Sequence, residues 1–470
     1  MLLFSLCFTH STVQERRKFG PLGWCVPYEF NDGDLNASIV FLEKHLEFST
    51  LSWSTLQFMV GDVQYGGRIT DDMDRRLFGA YMETWFSSGT LSNDFSFNPE
   101  KPLNKLNDNF QYKIRDYLEL GDYLKYIQSF PDIDSPEIFG MHPNADLTFR
   151  FKEATSLLNT ILETQPKQTD GSSAGQTRED IVLAKCQSLI EAVPVGFTED
   201  ELEERIIALG GYEQPLNIFL FQEVQRLQAT IVKVRSTLTL TSQAIRGEVV
   251  VTGDVMTNID AIFNARVPPL WLYSVAGDEL SWLAPNLGIW FGGLLSRETQ
   301  YRTWLTRGRP SSFWLAGFFN PQGFLTAIQQ EITRAHKQES WALDSMVLHS
   351  ELTDISSVEG VKSAPKEGAY IYGLFMDGAA WSQAGGGTIA ESPPKKLFSS
   401  LPVMYVTAVT KMAKKSSSID YGPFGGYDCP VYKYPARTDR YLIFSVMLPS
   451  RELKPQHWTL RGVALLCATG

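Results

Sequence analysis

The spacing of apolar residues changes near residue 345, and this change restricts the possible folds more than any other feature of the sequence. Before it, apolar residues recur at three- and four-residue steps, which is typical of one face of an α-helix. The longest such stretch opens at Pro215 and carries its stripe at Leu220, Val224, Leu227, Ile231, Val234 and Leu238. We expect a helix over Pro215–Ile245, about 45 Å long at about 1.5 Å per residue, which suits a strut across a wide surface.

After residue 345 the pattern indicates short strands that are separated by turn residues such as Asp377-Gly378. The predicted strands are Met346–Leu352, Gly368–Phe375, Val403–Val409, Val431–Tyr434, Tyr441–Leu448 and Trp458–Leu466. Short strands without a clear helix between them favour an antiparallel barrel or sandwich. The predicted fold class is therefore α+β: a small helical subdomain, a helical region with the long strut helix, and a C-terminal antiparallel β-barrel of about six strands.

Local patterns divide the protein into three predicted domains, residues 1–110, 111–344 and 345–470. The first is a small helical subdomain, in which we expect Asn31 or Asp32 to cap one helix and Thr70 to cap another. Charge follows a similar division. Residues 345–470 carry 13 basic and 10 acidic residues, a net of +3, whereas the first 344 carry 29 and 43, a net of −14. The change in net charge supports a boundary near residue 345.

The overall charge of −11 argues against several classes of protein. Nucleic-acid binders present a basic patch, so no nucleic-acid partner is predicted, and an acidic protein is equally unsuited to direct docking on acidic microtubules. No run of about 18 apolar residues exists, so no membrane span is predicted. The apolar start, Leu2 to Phe8, lacks the basic segment and cleavage site of a signal peptide, and we expect it to be helical.

Motifs for catalysis, nucleotide binding and metal binding are missing from the sequence. There is no G-x-x-x-x-G-K-[ST] loop and no G-x-G-x-x-G after a strand, so no cofactor is expected on this chain. Five cysteines without a C-x-x-C spacing, and six widely separated histidines, argue against a local metal site. Gly171-Ser-Ser-Ala-Gly175 matches G-x-S-x-G, but it lies in a polar linker without a preceding strand. A hydrolase using Ser173 is therefore the least favoured alternative.

The segment Gly66-Gly-Arg-Ile-Thr-Asp-Asp-Met-Asp-Arg-Arg76 supplies candidate interaction residues. Its candidates are Arg68, Asp71, Asp72 and Arg75. The two glycines permit a tight turn, and an arginine just before a helix can reach an anion or a neighbouring module with its planar fork. The favoured alternative is a structural cluster of salt bridges between the arginines and the aspartates of the segment.

Aromatic residues supply the other candidates, Trp314, Phe318, Phe319 and Trp381. Trp314 belongs to a set of tryptophans in apolar surroundings, together with Trp271, Trp282, Trp290 and Trp304. Because no positive charge of the kind that a nucleic-acid binder shows accompanies this set, packing in a core or an interface is favoured over stacking on a ligand.

Long, ordered blocks of the sequence match a known family. Glu15-Arg-Arg-Lys-Phe-Gly-Pro-Leu-Gly-Trp24 and Gly66-Gly-Arg-Ile-Thr-Asp-Asp-Met-Asp-Arg75 resemble the lid of the sixth AAA+ module of dynein heavy chains. Ser135-Pro-Glu-Ile-Phe-Gly-Met-His-Pro-Asn-Ala-Asp146 resembles the start of the dynein C-terminal domain. Phe313-Trp-Leu-Ala-Gly-Phe-Phe-Asn320 and Gly373-Leu-Phe-Met-Asp-Gly-Ala-Ala-Trp381 resemble its later parts. The Asn320-Pro-Gln-Gly-Phe324 variant is more similar to axonemal than to cytoplasmic heavy chains, and most like the outer-arm gamma type.

The resemblance implies the C-terminal, non-catalytic part of an ATP-driven, minus-end-directed microtubule motor of cilia and flagella. ATP and magnesium are expected in other modules of the family, and Arg68 resembles a nucleotide-sensing lid arginine that is structural in the sixth module. The implied partners are the other AAA+ modules, dynein intermediate and light chains and axonemal docking proteins, with microtubules reached only through parts outside these residues. The implied location is the axoneme. The alternative is a stand-alone, dynein-derived axonemal scaffold without motor activity.

Overall fold

The computed structural model describes residues 1–47, 50–98, 110–164, 177–274, 277–337, 341–415 and 420–469. Its helices are α1 (Leu2–Arg16), α2 (Asp32–Leu46), α3 (Trp53–Phe58), α4 (Asp72–Trp85), α5 (Leu120–Gln128), α6 (Asn144–Thr164), α7 (Arg178–Ala192), α8 (Glu199–Ala208), α9 (Pro215–Ile245), α10 (Gly253–Phe263), α11 (Pro269–Leu272), α12 (Leu287–Arg307), α13 (Pro321–Ala335), α14 (Lys411–Lys415) and α15 (Pro455–Arg461). None of these described helices combines the length and hydropathy that crossing a membrane requires.

The strands are β1 (Ser312–Trp314), β2 (Met346–Leu352), β3 (Ala369–Tyr372), β4 (Phe375–Asp377), β5 (Ala380–Ser382), β6 (Thr388–Ala390), β7 (Phe398–Ser400), β8 (Met404–Thr410), β9 (Gly426–Tyr432), β10 (Leu442–Pro449) and β11 (Ala464–Leu466). They form a four-stranded sheet of order β1-β3-β8-β2, a five-stranded sheet of order β10-β9-β11-β4-β7 and a β5-β6 hairpin. The mixed helix and sheet content agrees with the predicted α+β class. Two pairings, β1 with β3 and β11 with β9, are parallel, so the sheets are mixed rather than purely antiparallel.

The described residues separate into two compact units. The first unit comprises residues 1–165, 375–400 and 419–469, and therefore holds α1 to α6, α15, the five-stranded sheet and the hairpin. A large aromatic and aliphatic core fills it, with Trp24, Tyr65, Phe78, Tyr81 and Trp85 among its most buried side chains. The second unit comprises residues 166–374 and 401–418, and holds α7 to α14 and the four-stranded sheet.

Helix α9 organises the second unit. It spans 31 residues with Pro215 at its first turn, which is where proline's fixed φ suits a helix. The predicted stripe of Leu220, Val224 and Leu227 is buried, as is its continuation to Leu238. Helices α7, α8, α10, α11, α12 and α13 pack against α9, and the predicted helix Pro215–Ile245 is confirmed with the same bounds.

Several predicted elements differ from the structure: β9 spans Gly426–Tyr432 rather than Val431–Tyr434, and the described residues after 345 form ten strands and two α-helices instead of about six strands. The predicted strand Trp458–Leu466 is wrong in its first half, because Pro455–Arg461 forms α15 and only Ala464–Leu466 is a strand. Gly462 caps the end of this helix, and its φ of +66° is the left-handed conformation that such a cap requires. The predicted strand Gly368–Phe375 is divided into β3 and β4, because Gly373 has a φ of +84° and interrupts the extended backbone.

Candidate functional site

Arg68 fixes the start of α2. Its Nε lies 2.8 Å from Asp34 Oδ1, and its Nη1 donates to the Glu29 carbonyl oxygen at 2.9 Å. Asp34 itself closes the capping box of α2, since its carboxylate accepts from the Asn31 amide at 2.9 Å. Arg68 therefore has two of its three guanidinium nitrogens occupied by the protein.

Asp71 caps α4, a role that the sequence reading gave to Thr70. Its Oδ1 accepts from the amides of Met73 at 2.9 Å and Asp74 at 3.0 Å. Asp71 is 3 % exposed, and its burial raises the pKa of the carboxyl to about 6, although the backbone hydrogen bonds oppose the shift. Asp72 is exposed in the first turn, where the helix dipole favours a negative charge.

The other two arginines of the segment anchor loops and strands rather than aspartates. Arg75 donates to the Ile69 carbonyl oxygen at 2.8 Å. Arg76 donates to the Asp428 carbonyl oxygen at 2.7 Å and to the Tyr427 hydroxyl at 3.2 Å, both on β9 in the same unit. The favoured alternative of salt bridges within the segment is therefore wrong for the described residues, because each arginine bonds elsewhere.

A group that the sequence reading missed lies beside this segment. The ligand atoms of Cys25, Asp71 and Asp74 all lie within 4.8 Å of one another. The two carboxylates are already engaged, since that of Asp74 accepts from the amides of Cys25 at 2.8 Å and Val26 at 3.1 Å. Burial, reinforced by the Asp74 charge, raises the pKa of the Cys25 thiol and disfavours the thiolate that metal binding requires. This group anchors the segment before α2 to the N-terminus of α4.

Phe318 and Phe319 lie in a turn that is bound by a buried carboxylate on α9. Glu223, 2 % exposed, accepts from the Tyr301 hydroxyl at 2.7 Å and from the amides of Phe319 at 2.6 Å and Asn320 at 2.9 Å. Burial raises the pKa of Glu223, and these hydrogen bonds oppose the rise. Phe318 is buried beside them, with its ring centroid 4.7 Å from that of Phe324. Glu223 thus attaches the turn after β1 to the strut helix.

Trp314 packs against two glycines that have no room for a side chain. A Cβ atom at Gly317 or at Gly373 would lie 2.6 Å from the Trp314 ring. Trp314 also forms a cation–π contact with Arg297, whose guanidinium lies 5.0 Å from the centroid of the Trp314 ring and 3.8 Å from that of Trp282. Trp314 is therefore a packing residue in the position that the structure gives it.

Trp381 lies in the first unit, apart from the other aromatic candidates. It pairs with Ile389 across the β5-β6 hairpin, and its ring fills the space beside Gly387. Its indole Nε1 is buried and has no hydrogen-bond partner among the described residues. The candidate Ser173, with its G-x-S-x-G motif, falls outside the described residues.

Two family models together match nearly the whole sequence. The model of the dynein heavy chain AAA lid domain matches residues 1–145, and the model of the C-terminal domain of the dynein heavy chain matches residues 151–467. The chain belongs to the dynein heavy chain family. Arg68 and the Asp71 cap therefore lie in the region matched by the dynein lid, and Glu223 and Trp314 lie in the region matched by the dynein C-terminal domain.

Individual dyneins extend the likeness over 99 % of the chain. It is 44 % identical to human dynein axonemal heavy chain 8, 43 % to mouse dynein axonemal heavy chain 5, and 39 % to the dynein gamma chain of the flagellar outer arm of Chlamydomonas reinhardtii. The predicted resemblance to axonemal dyneins, the outer-arm gamma type among them, is confirmed. The chain spans about 10 % of the length of these dyneins.

A buried arginine joins the two dynein regions inside the first unit, and the sequence reading missed it. Arg16, 0 % exposed, donates to carbonyl oxygens of Gly23 at 3.0 Å, Phe139 at 2.8 Å and Leu460 at 3.1 Å, and to the Tyr81 hydroxyl at 2.7 Å. Every one of these acceptors is neutral. Residues 16 to 139 belong to the lid match and Leu460 to the C-terminal match, so α15 is part of the same packed core as the dynein lid.

The residue after Leu460 repeats this connection. Arg461 donates through Nη1 to the carbonyl oxygens of Gly140, at 3.2 Å, and Met141, and through Nη2 to Glu391 at 3.0 Å. His457 Nε2 lies 2.6 Å from the same Glu391 oxygen. Burial alone would raise the pKa of Glu391. The hydrogen bond from His457 and the charge of Arg461 outweigh burial and lower this pKa to about 2. Arg461 therefore holds helix α15 to the lid-matched residues Gly140 and Met141 through their carbonyl oxygens, while Glu391 fixes the helix through charged hydrogen bonds within the region of the C-terminal match.

Proposed function

We propose that this chain is the C-terminal, non-catalytic part of an axonemal dynein heavy chain, and that it braces the AAA+ ring of that motor and tunes its coupling. The whole protein would be an ATP-driven, minus-end-directed microtubule motor of the ciliary and flagellar axoneme. ATP and magnesium would be bound by other modules. The other AAA+ modules, intermediate and light chains and axonemal docking proteins would be its partners, and microtubules would be reached through other parts of the heavy chain.

The observation that carries the bracing role is the support of α9. A helix of 31 residues, about 46 Å at about 1.5 Å per residue, takes most of its stability from packing against its neighbours. Six of the described helices pack on α9, and Glu223 joins it to the amides of Phe319 and Asn320 through two hydrogen bonds and to Tyr301 on α12 through a third. A supported element of this length suits the transmission of a distortion between distant modules.

A structural role for the lid candidates belongs to the same proposal. Arg68 uses its Nε and Nη1 on Asp34 and Glu29, which leaves little of its fork for a nucleotide phosphate. Asp71, Asp72 and Arg75 support the start of α4 in the same way. The closure of the C-terminal strands into a barrel, and domain limits at residues 110 and 344, are also part of the proposal.

The test uses a full-length motor that contains this region. Deletion from residue 110 onward is a poor choice, because it also removes α15 and the strands that complete the core of the first unit. The substitution Glu223→Gln instead weakens one junction of α9 and leaves the volume of the side chain unchanged. Coupling changes of about 0.5–2 kcal/mol are typical of such substitutions, so ATPase rate or gliding velocity should change by about twofold or more.

A matched control is Glu248→Gln, just beyond α9, whose side chain is half exposed. We expect this control to leave both rates unchanged, and both variants to retain microtubule binding. A folded Glu223→Gln motor with normal velocity and normal microtubule-stimulated ATPase would contradict the bracing role.

A further inference from the structure

A long groove follows one face of α9 in the second unit. Its volume is about 630 Å³. Residues on that face of α9, from Gln228 to Gln243, line it, together with Val195 in the loop before α8. From Gln228 to Gln243 the groove follows α9 for about 22 Å, or about four helical turns. This length matches the footprint of a second helix.

The groove presents apolar side chains to solvent. Val195 is 87 % exposed, Val232 57 % and Leu240 45 %, while Ile231 forms a buried floor. Val232 and Leu240 are eight residues apart, and they therefore lie close to the same face of α9. Recognition of an amphipathic helix uses such a groove, with apolar anchors at three- and four-residue steps.

Arg235 gives the groove its charge. Of the described residues that line it, Arg235 alone is charged. Its Nη2 donates to the carbonyl oxygens of Val193 at 2.9 Å and Pro194 at 3.3 Å, which fixes the plane of the guanidinium. The Nε and Nη1 donors have no partner among the described residues, and a guanidinium held in this way is suited to a carboxylate.

The sequence of α9 extends this positive charge. Between Val224 and Gly247 lie Arg226, Lys233, Arg235 and Arg246 and no acidic residue, within a protein whose net charge is −11. The end of the groove at Gln228 lies close to negative charge. There the Gln228 side chain accepts from the Phe197 amide at 3.0 Å, and Phe197 lies just before the acidic start of α8. A ligand would therefore place its acidic groups at Arg235 and towards Gln243.

We propose that this groove binds an acidic amphipathic α-helix of a partner protein. Apolar residues of that helix cover Val232 and Leu240, and a carboxylate meets the free edge of Arg235. This interaction does not depend on the bracing role, because the groove is built from residues of α9 and the loop before α8 alone.

The experiment measures fluorescence anisotropy of two labelled peptides with the full 470-residue protein. Both peptides have about 18 residues and leucines at helical spacing; one carries glutamates beside the leucines, and the other carries lysines at the same positions. We expect saturable binding of the glutamate peptide and affinity at least about tenfold weaker for the lysine peptide. Arg235→Gln should weaken the glutamate peptide by about fivefold or more.

Lys233→Gln is the matched control, since Lys233 is a cation of the same helix that does not line the groove. It should change the affinity by less than about twofold. Val232→Asp, checked for folding by circular dichroism, should abolish binding. Equal binding of the two peptides, equal losses for the two cation variants, or no binding of the glutamate peptide would overturn the proposal. Concentration-dependent dimers that Val232→Asp abolishes would also overturn it, because a second copy would then be the occupant.

Discussion

Arg16 and Leu460 are 444 residues apart in sequence, and the Arg16 Nη1 atom donates to the Leu460 carbonyl oxygen at 3.1 Å. The guanidinium is fully buried, yet all its acceptors are neutral. A buried cation without a carboxylate depends on every carbonyl dipole around it. The position of α15 therefore depends on a residue at the end of α1.

Arg16→Ala should expose this dependence. The substitution leaves a cavity and removes the donor from several buried carbonyls, so we expect the first unit to lose about 3–5 kcal/mol of stability. Hydrogen exchange followed by mass spectrometry should show loss of protection in α1 and α15 together. Arg17→Ala is the control, because Arg17 is half exposed and forms a surface pair with Glu29, which contributes about 1 kcal/mol or less. Protection lost in α1 alone would contradict the connection.

The charge of Asp71 should make the free energy of unfolding of the native protein depend on pH. Because its folded pKa of about 6 is above the unfolded value, its ionisation lowers stability as pH rises from about 4 to about 6. Asp71→Asn keeps the cap without the charge, so the variant should gain stability relative to the native protein over this pH range. Asp71→Ala should be less stable than Asp71→Asn by about 0.5–2 kcal/mol at all pH values, since the cap is removed and neither side chain titrates. Urea unfolding at pH 4, 5, 6 and 7 measures both; an Asn variant whose difference from the native protein does not vary with pH would contradict the assignment.

Glu391 should show the opposite dependence on pH. Its folded pKa of about 2 lies below the unfolded value, so its contribution is present above about pH 4.3 and is lost as pH falls towards 2. Glu391→Gln weakens the hydrogen bonds from His457 and Arg461, and we expect a loss of about 1.5–3 kcal/mol at pH 7. The difference between the variant and the native protein should shrink between pH 4 and pH 3. A constant difference would argue that packing, and not charge, is responsible.

Alanine substitutions at Gly373 and Gly247 should distinguish the cost of a steric clash from the cost of backbone strain. Both have positive φ, +84° and +77°, but a Cβ at Gly373 would meet the Trp314 ring and one at Gly247 would meet open space. Gly247→Ala should cost about 1 kcal/mol from the left-handed backbone alone. Gly373→Ala should cost about 1–3 kcal/mol more, since the Trp314 ring must move. Thermal unfolding, with tryptophan fluorescence as the local probe, gives both values; equal losses would show that Trp314 moves without cost.

Periodicity predicted the parts of the fold that are decided locally. The bounds Pro215–Ile245 and Met346–Leu352 are those of α9 and β2, because a proline at the first turn and a sustained stripe specify a helix, and a regular apolar run specifies a strand. Helix α15 was missed because Trp458 and Leu460, like Ala464 and Leu466, fit a strand as well as a short helix. Three-residue strands such as β1 are formed by their neighbours rather than by their own sequence.

The candidate site was predicted less completely, and for a physical reason. Arg68 and Asp71 stand out in the sequence because basic and acidic side chains lie close together in their segment. Arg16 and Glu223 do not stand out, because each binds a backbone group that is 123 or 96 residues away. A carbonyl oxygen leaves no trace in the sequence, so networks of this kind become visible only when the fold is known.

The first unit is discontinuous along the sequence, and this has a consequence for the order of events during synthesis. Its lid helices emerge from the ribosome before the second unit, but β9, β10, α15 and β11 emerge after it. The described parts of the second unit end at residue 415, so they can be complete while the lid helices still expose the apolar surface that the later strands cover. A premature stop after residue 419 would therefore leave its defect in the lid helices α1 to α4, more than 300 residues before the stop, and we expect chaperones to recognise the uncovered apolar surface there.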